Sequence, residues 1–300
     1  MTAIIFRELK DNRKGLLIWV VAMLGLVAIA AGEYPVVVES GDAIMALLEK
    51  IPRIMLIAYG MVGMETIPIN SPLGYYLGMY MWCSLVAFTH AAVLGTTIIA
   101  KEERNRTAEF IFTKPYPRKT IIKGKIIAAV LNVAAMTLTA IIANIGMLAT
   151  QAKGESILGA IGITMLAMFL IQVLFLSVGM LLAARCKSNK RALSISVLFV
   201  LTSYVLMVII EYVGTVDFLG FLTPFLYFPG AALVEKGFNI FYILLTIIIA
   251  AVSCHFTLSR LVGKRYICMI LIMMAFPIFQ HLSLTSLHEY IFSIWCLRSM

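Results

Sequence analysis

Residues 101–125 read KEERNRTAEFIFTKPYPRKTIIKGK, the longest charged stretch in a 300-residue chain that is 62% hydrophobic and only 13% charged. The stretch lies between two apolar runs, 73–100 and 126–150, each long enough to cross a bilayer core. A segment with that many charges has to stay in water. Eight of the chain's 24 Lys and Arg fall in it (Lys101, Arg104, Arg106, Lys114, Arg118, Lys119, Lys123 and Lys125). Loops this rich in Lys and Arg remain on the cytoplasmic side, so the segment sets the expected sidedness of every other loop.

Inside the stretch, residues 107–113 (TAEFIFT) have helical potential with an acid in the first turn, and Pro115 and Pro117 stop the helix from continuing. One or two helical turns lying across the membrane surface are expected, presenting Phe110 and Phe112 to a partner or to lipid. Composition alone favours a solvated basic loop hugging the bilayer.

The order of acidic pair, Thr-Ala-Glu, apolar residues, Thr-Lys-Pro, a basic residue and Gly-Lys resembles the coupling segment of type-2 ATP-binding-cassette (ABC) transporter permeases. Here those residues are Glu102, Glu103, Thr107, Ala108, Glu109, Phe110, Ile111, Phe112, Thr113, Lys114, Pro115, Arg118, Gly124 and Lys125. The similarity runs from Phe6 to about Leu261. It implies a short cytoplasmic coupling helix between the second and third spans, docked on a separate ATPase subunit. Under that reading Glu102, Glu103, Arg104, Arg106 and Glu109 make polar contacts to the motor, and Phe110 and Phe112 anchor it. Thr107, Thr113, Lys114, Pro115 and Arg118 complete the site. The resemblance also implies ATP and Mg on the partner subunit, pairing with a second permease as homodimer or heterodimer, and a multi-pass place in a bacterial plasma membrane.

A mean hydropathy of +0.99 excludes an ordinary soluble domain, because too little polar surface remains to coat one. The net charge of +9 does not point to nucleic acid, since the basic residues cluster between apolar runs; anionic inner-leaflet lipid explains them. Cys83, Cys186, Cys254, Cys268 and Cys296 are scattered, with no C-x-x-C and no His at metal spacing, so neither a disulfide framework nor a metal site is expected. Asn105-Arg106-Thr107 matches a glycosylation acceptor, but on the wrong side of the membrane.

Taken in order, residues 1–14 read as an amphipathic interfacial helix leading into a first span at about 15–32. Ala28-Ile29-Ala30 also resembles a signal-peptide cleavage site, the competing reading of that span. An external segment, 33–72, is acidic and is read as two short helices interrupted at Pro52. The remaining spans are expected at 73–100, 126–150, 157–184, 192–210 and 240–258. Tyr75, Tyr76, Tyr80 and Trp82 read as an aromatic interface belt, with contact to an amphiphilic substrate as the second reading. Gly74 and Gly78 form a G-x-x-x-G that hints at close helix packing.

Asn132, Asn144 and Gln172 are buried amides within spans, and Glu211 is the one acid placed to be a buried carboxylate; with Tyr76, Tyr80, Trp82 and Phe225 they are the candidate substrate path. Residues 214–239, aromatic but broken by Pro224 and Pro229, are expected to dip into the outer leaflet as a re-entrant segment. The tail, 266–300, is apolar again over about 14 residues, a length more typical of an interfacial segment, with a seventh span as the alternative.

No G-x-x-x-x-G-K-[ST] occurs, so ATP hydrolysis is expected on another subunit and no cofactor on this chain. No Asp, Glu or Lys lies inside the expected spans, which disfavours an ion-coupled carrier. The expectation is an all-α integral membrane protein of six transmembrane helices. It would be the permease subunit of an ATP-driven exporter for a lipophilic compound, antimicrobial peptide or lipid. A secondary carrier and a non-transporting sensor or assembly protein are the alternatives.

Overall fold

Every regular element among the described residues is helical, as a lipid solvent requires: without water, a backbone must satisfy its own N–H and C=O groups. The computed structural model describes residues 1–48, 50–61, 67–104, 118–149, 157–186 and 188–262. Six of the helices there are long and apolar enough to cross a membrane: α1 (Thr2–Glu39), α4 (Pro72–Arg104), α5 (Arg118–Ala149), α6 (Leu158–Arg185), α7 (Asn189–Val213) and α9 (Ile240–Val262). Between them lie the short helices α2 (Gly41–Leu48), α3 (Arg53–Ala58) and α8 (Gly230–Lys236), and 3₁₀ turns at Asp217–Leu222 and Pro224–Leu226. The coupling stretch from Arg106 to Pro115 and the tail 266–300 lie outside the described residues.

The interfacial helix expected over 1–14 and the span expected over 15–32 are one uninterrupted helix, α1, of 38 residues. Gly15 at the expected junction costs a helix about 1 kcal/mol but does not stop it, and Pro35 lies close to the end, which follows at Glu39. At 1.5 Å per residue, α1, α4 and α5 are about 57, 50 and 48 Å long, against a hydrocarbon core of about 30 Å. All three are longer than that core is thick. α4 and α5 run as helix past their apolar stretches into the charged residues 101–104 and 118–125, two posts at the flanks of the segment between them.

α4 and α6 are the centre of the bundle: 61% of each apolar window is buried, against 17% for α1 and α9, whose outer faces are left for lipid. The pair meets backbone to backbone. A Cβ on Gly95 would come within 2.2 Å of the Leu176 carbonyl oxygen, and one on Gly179 within 2.5 Å of the Ala92 carbonyl oxygen. Small residues at helix contacts are how membrane helices approach closely where lipid supplies no hydrophobic drive. The G-x-x-x-G read from the sequence is not this contact. Gly74 passes against the Pro68 carbonyl in the turn that opens α4, and a Cβ on Gly78 would meet nothing within 4 Å.

The aromatic belt is likewise turned inward. Tyr76, Tyr80, Cys83, Ala87 and Ala91 recur at spacings of four and three, which puts them on one helical face, and all are buried. Tyr75 donates to the Ala30 carbonyl at 2.9 Å and so ties α4 to α1.

At the other end of the same helices a charged contact does the tying. Lys125, buried at the start of α5, donates to the Ile98 carbonyl of α4 at 2.7 Å and faces the buried Glu8 carboxylate of α1 at 3.6 Å. Sequence reading had assigned Lys125 to the solvated segment and Glu8 to an interfacial helix. Both are inside because α1 continues past the apolar stretch and packs along α5, where Gly124 leaves room for Ile4.

Two outcomes follow for stability in detergent, both read as thermal unfolding of the purified chain. Gly179→Leu forces a side chain into the α4 backbone and is expected to cost about 1–3 kcal/mol or more, whereas Gly78→Ala, with open space around the new methyl, is expected to be neutral or slightly stabilising. Lys125→Met removes the cation that the buried Glu8 carboxylate faces and is expected to cost about 3–5 kcal/mol; adding Glu8→Gln to it should recover most of the loss. A double variant as damaged as the sum of the singles would show that the pair is not coupled.

Candidate coupling site and substrate path

The proposed coupling residues sit at the ends of the two posts. Glu102, Glu103 and Arg104 close α4, and Arg118 opens α5. Arg106, Thr107, Glu109, Phe110, Phe112, Thr113, Lys114 and Pro115 fall outside the described residues. What the described residues form is the frame: the Lys125 ammonium, bonded to Ile98 on one post and paired with Glu8 of α1, joins both flanks of the segment to the N-terminal helix.

The candidate path residues divide into separate places. Tyr80, Glu211 and Phe225 come together around one cavity of about 50 Å³, which Ser84, Phe88, Met207 and Phe228 also line. Drug-sized ligands occupy sites of roughly 300–1,000 Å³, so this cavity in its present form admits only a few water-sized groups. Phe225 is what closes it. Its ring packs edge-on against Phe88 of α4 at 5.1 Å and lies near Phe175 of α6 at 6.0 Å and Tyr204 of α7 at 5.8 Å.

The segment that carries Phe225 is held by hydroxyl bonds. Thr223 donates to the Ser203 carbonyl at 2.6 Å, and Tyr227 to the Phe221 carbonyl at 2.7 Å. Burial, and then the neighbouring Tyr242, push the Tyr227 phenol above its ordinary pKa, so it stays a neutral donor. Tyr204 donates to the Ala58 carbonyl at 2.7 Å, fastening α3 to α7 over the same region.

Tyr76, Asn132, Asn144 and Gln172 lie apart from that cavity, inside the packing of α4, α5 and α6. The Tyr76 hydroxyl shares a 2.5 Å hydrogen bond with Thr164. Thr137 donates to the Gln172 carbonyl oxygen at 3.4 Å, and Asn144 donates to the Ala140 carbonyl of its own helix at 2.8 Å. These are bonds between or along helices, the structural use of amides in a bundle. Asn132 Oδ1, Asn144 Oδ1 and Gln172 Nε2 are buried and have no hydrogen-bond partner among the described residues. Trp82 belongs to neither group and packs edge-on against Tyr59 at 5.7 Å.

Three features of the site were missed in the sequence: the Glu8–Lys125 pair, the Gly95–Gly179 approach, and the grouping of Trp82 with Tyr59. The small-x-x-x-small pattern of Ala91 and Gly95 carried a signal for the second. The other two join residues far apart in sequence, with no local pattern to announce them. His90 is buried with its ring 5.8 Å from Trp19, a packing position. Among the described residues no group of three His, Cys, Asp or Glu is placed to hold a metal ion.

The described residues form a bundle of six long apolar helices, and comparison with known families says what kind of membrane protein this is. A family model described as "ABC-2 family transporter protein" matches residues 2–247, from the start of α1 into α9. No individual curated protein matches the chain. The chain belongs to the ABC-2 transporter family and is a multi-pass membrane permease of that type, the transmembrane subunit and not the ATPase.

Proposed function

We propose that this permease is the membrane half of an ATP-driven exporter and that residues 105–117, with Glu102, Glu103, Arg104 and Arg118 at their flanks, form the coupling site for a cytoplasmic ABC ATPase. The observation that carries this reading is the frame: α4 and α5 continue as helix into the charged residues that flank the basic segment, with Lys125 bonded across to Ile98. Short rigid posts transmit displacement, where a long flexible loop would absorb it. The eight Lys and Arg of residues 101–125 support a cytoplasmic position for that end, and with it the N-terminus.

In this mechanism ATP and Mg bind the partner subunits and draw them together, and the coupling segment moves with them. Glu109 and the acidic and basic residues around it make the polar contacts, and Phe110 and Phe112 the apolar anchor. Displacement passes along α4 and α5 toward the opposite end, where Phe225 closes the cavity near Tyr80 and Glu211. A second permease, identical or similar, completes the assembly. The cargo is a lipophilic compound, peptide antibiotic or lipid taken from the bilayer. The 266–300 tail is assigned to the membrane surface. An ion-coupled carrier is disfavoured because the Glu8–Lys125 pair lies level with Ile98, at the end of the apolar stretch of α4 and away from its middle.

The test is co-expression with candidate ABC ATPase subunits, purification of the complex, and ATPase activity in lipid discs. Wild-type chain is expected to retain the ATPase subunit, and Glu109→Lys combined with Phe110→Ala to lose it at least tenfold while still inserting as a monodisperse protein. Equal retention by the double variant would remove residues 105–117 from the coupling role.

A further inference from the structure

At the end of the bundle away from the coupling segment, α1 and α4 part to leave a groove of about 280 Å³, far larger than the cavity beside Phe225. Its floor is apolar, from Leu26 and Ile29 of α1 and Met79 of α4. Among the described residues its polar character comes from three aromatic rings, Tyr59, Tyr75 and Trp82, and from one carboxylate, Glu33, and the described lining holds no Lys or Arg. The rings are set before any ligand arrives. Tyr75 is fixed by its bond to the Ala30 carbonyl and by the Tyr34 ring 5.0 Å away, and Trp82 is packed edge-on against Tyr59 at 5.7 Å. Gly78 keeps the groove open, since its missing side chain would point into unoccupied space.

We propose that this groove is a binding site for a lipophilic monocation: an ammonium or similar head between Glu33 and the aromatic faces, with an apolar body along α1. Aromatic faces attract cations, and a carboxylate with no basic residue among the described lining favours a positive charge. An anion is repelled by Glu33, and a neutral lipid gains nothing from it. The volume approaches the lower end of drug-sized sites. The groove opens along α4, the helix that ends in the coupling residues, so a cation here touches the element that the proposed ATPase would move. The inference rests on the exporter reading for its purpose, but not for its test, which needs no ATPase.

The probe is benzyltrimethylammonium, compared with its neutral isostere in which carbon replaces nitrogen. Each is dialysed to equilibrium against the full chain in lipid discs, with empty discs subtracted. Wild type is expected to bind the cation saturably, at about one per chain, and at least tenfold more tightly than the isostere. Glu33→Gln should weaken the cation about tenfold, by removing the charge that the described lining carries. Gly78→Phe should abolish binding by filling the groove, whereas Gly146→Phe, also in open space but on α5, should not.

Equal affinity for cation and isostere, absence of saturable binding, or binding that survives Gly78→Phe would each overturn the site. If the ATPase subunit is retained while the cation fails to bind, only the site falls. If the cation binds as expected while the ATPase subunit does not associate, the site stands and the motor reading falls.

Discussion

The structure depends on one close approach, that of the α4 and α6 backbones at Gly95 and Gly179. Lipid tails are as apolar as leucine, so two helices in a bilayer gain little from hiding apolar side chains against each other and must gain from contact itself. Glycines at both positions let the main chains touch, and Ala91 and Ala92 keep the surrounding surface low. Larger side chains then fill the space on either side, with Phe88 stacked on Phe175 at 5.3 Å and Thr96 bonded to Ser196 of α7 at 2.8 Å. Because α4 is fixed to the centre here, its two ends are free to serve different purposes.

One end is organised by charge. A buried carboxylate and a buried ammonium are tolerated in such surroundings only when they face each other and their remaining hydrogen-bonding capacity is met. Lys125 meets part of its own through the Ile98 carbonyl, beyond which α4 continues as helix into the charged residues 101–104. The same side chain therefore satisfies a backbone group near the end of one post, stands at the start of the other, and pairs with α1. In the proposed mechanism, a displacement of the segment between the posts cannot enter α4 and α5 without also reaching the N-terminal helix.

What was legible in the sequence follows from which signals are local. Long apolar runs separated by charged or proline-broken segments sufficed to locate the six long helices, because hydropathy is summed along the chain. The break at Pro52, with helices on either side of it, was legible for the same reason. Which face of a helix turns inward was not. Tyr75, Tyr76 and Tyr80 near the end of an apolar run look like interface anchors until the partner helices are placed, and only then does the buried face become visible. The glycine motif failed in the same way: Gly74 and Gly78 have the spacing of a packing motif, but Gly95 and Gly179 have the neighbours. Glu8 was read from its own surroundings, a charged N-terminal helix, whereas its burial is decided by Lys125, more than a hundred residues on.

The Phe225 ring places a further constraint on how such a chain could work. It fills the meeting point of α4, α6 and α7, and the cavity left beside Tyr80 and Glu211 is about 50 Å³. A lipophilic cargo several times that volume cannot pass through the interior of the chain in this arrangement. It must travel along a surface of the chain, or Phe225 must leave its place. The segment carrying Phe225 is tied to α7 through Thr223 and Ser203, while the ring itself bears on α4. Under the proposed coupling, a shift of α4 about its contact with α6 would load that ring directly, so the closure at this end and the drive at the other are linked through a single helix. The groove at Gly78 lies on the same helix, which puts all three within reach of one rigid-body movement.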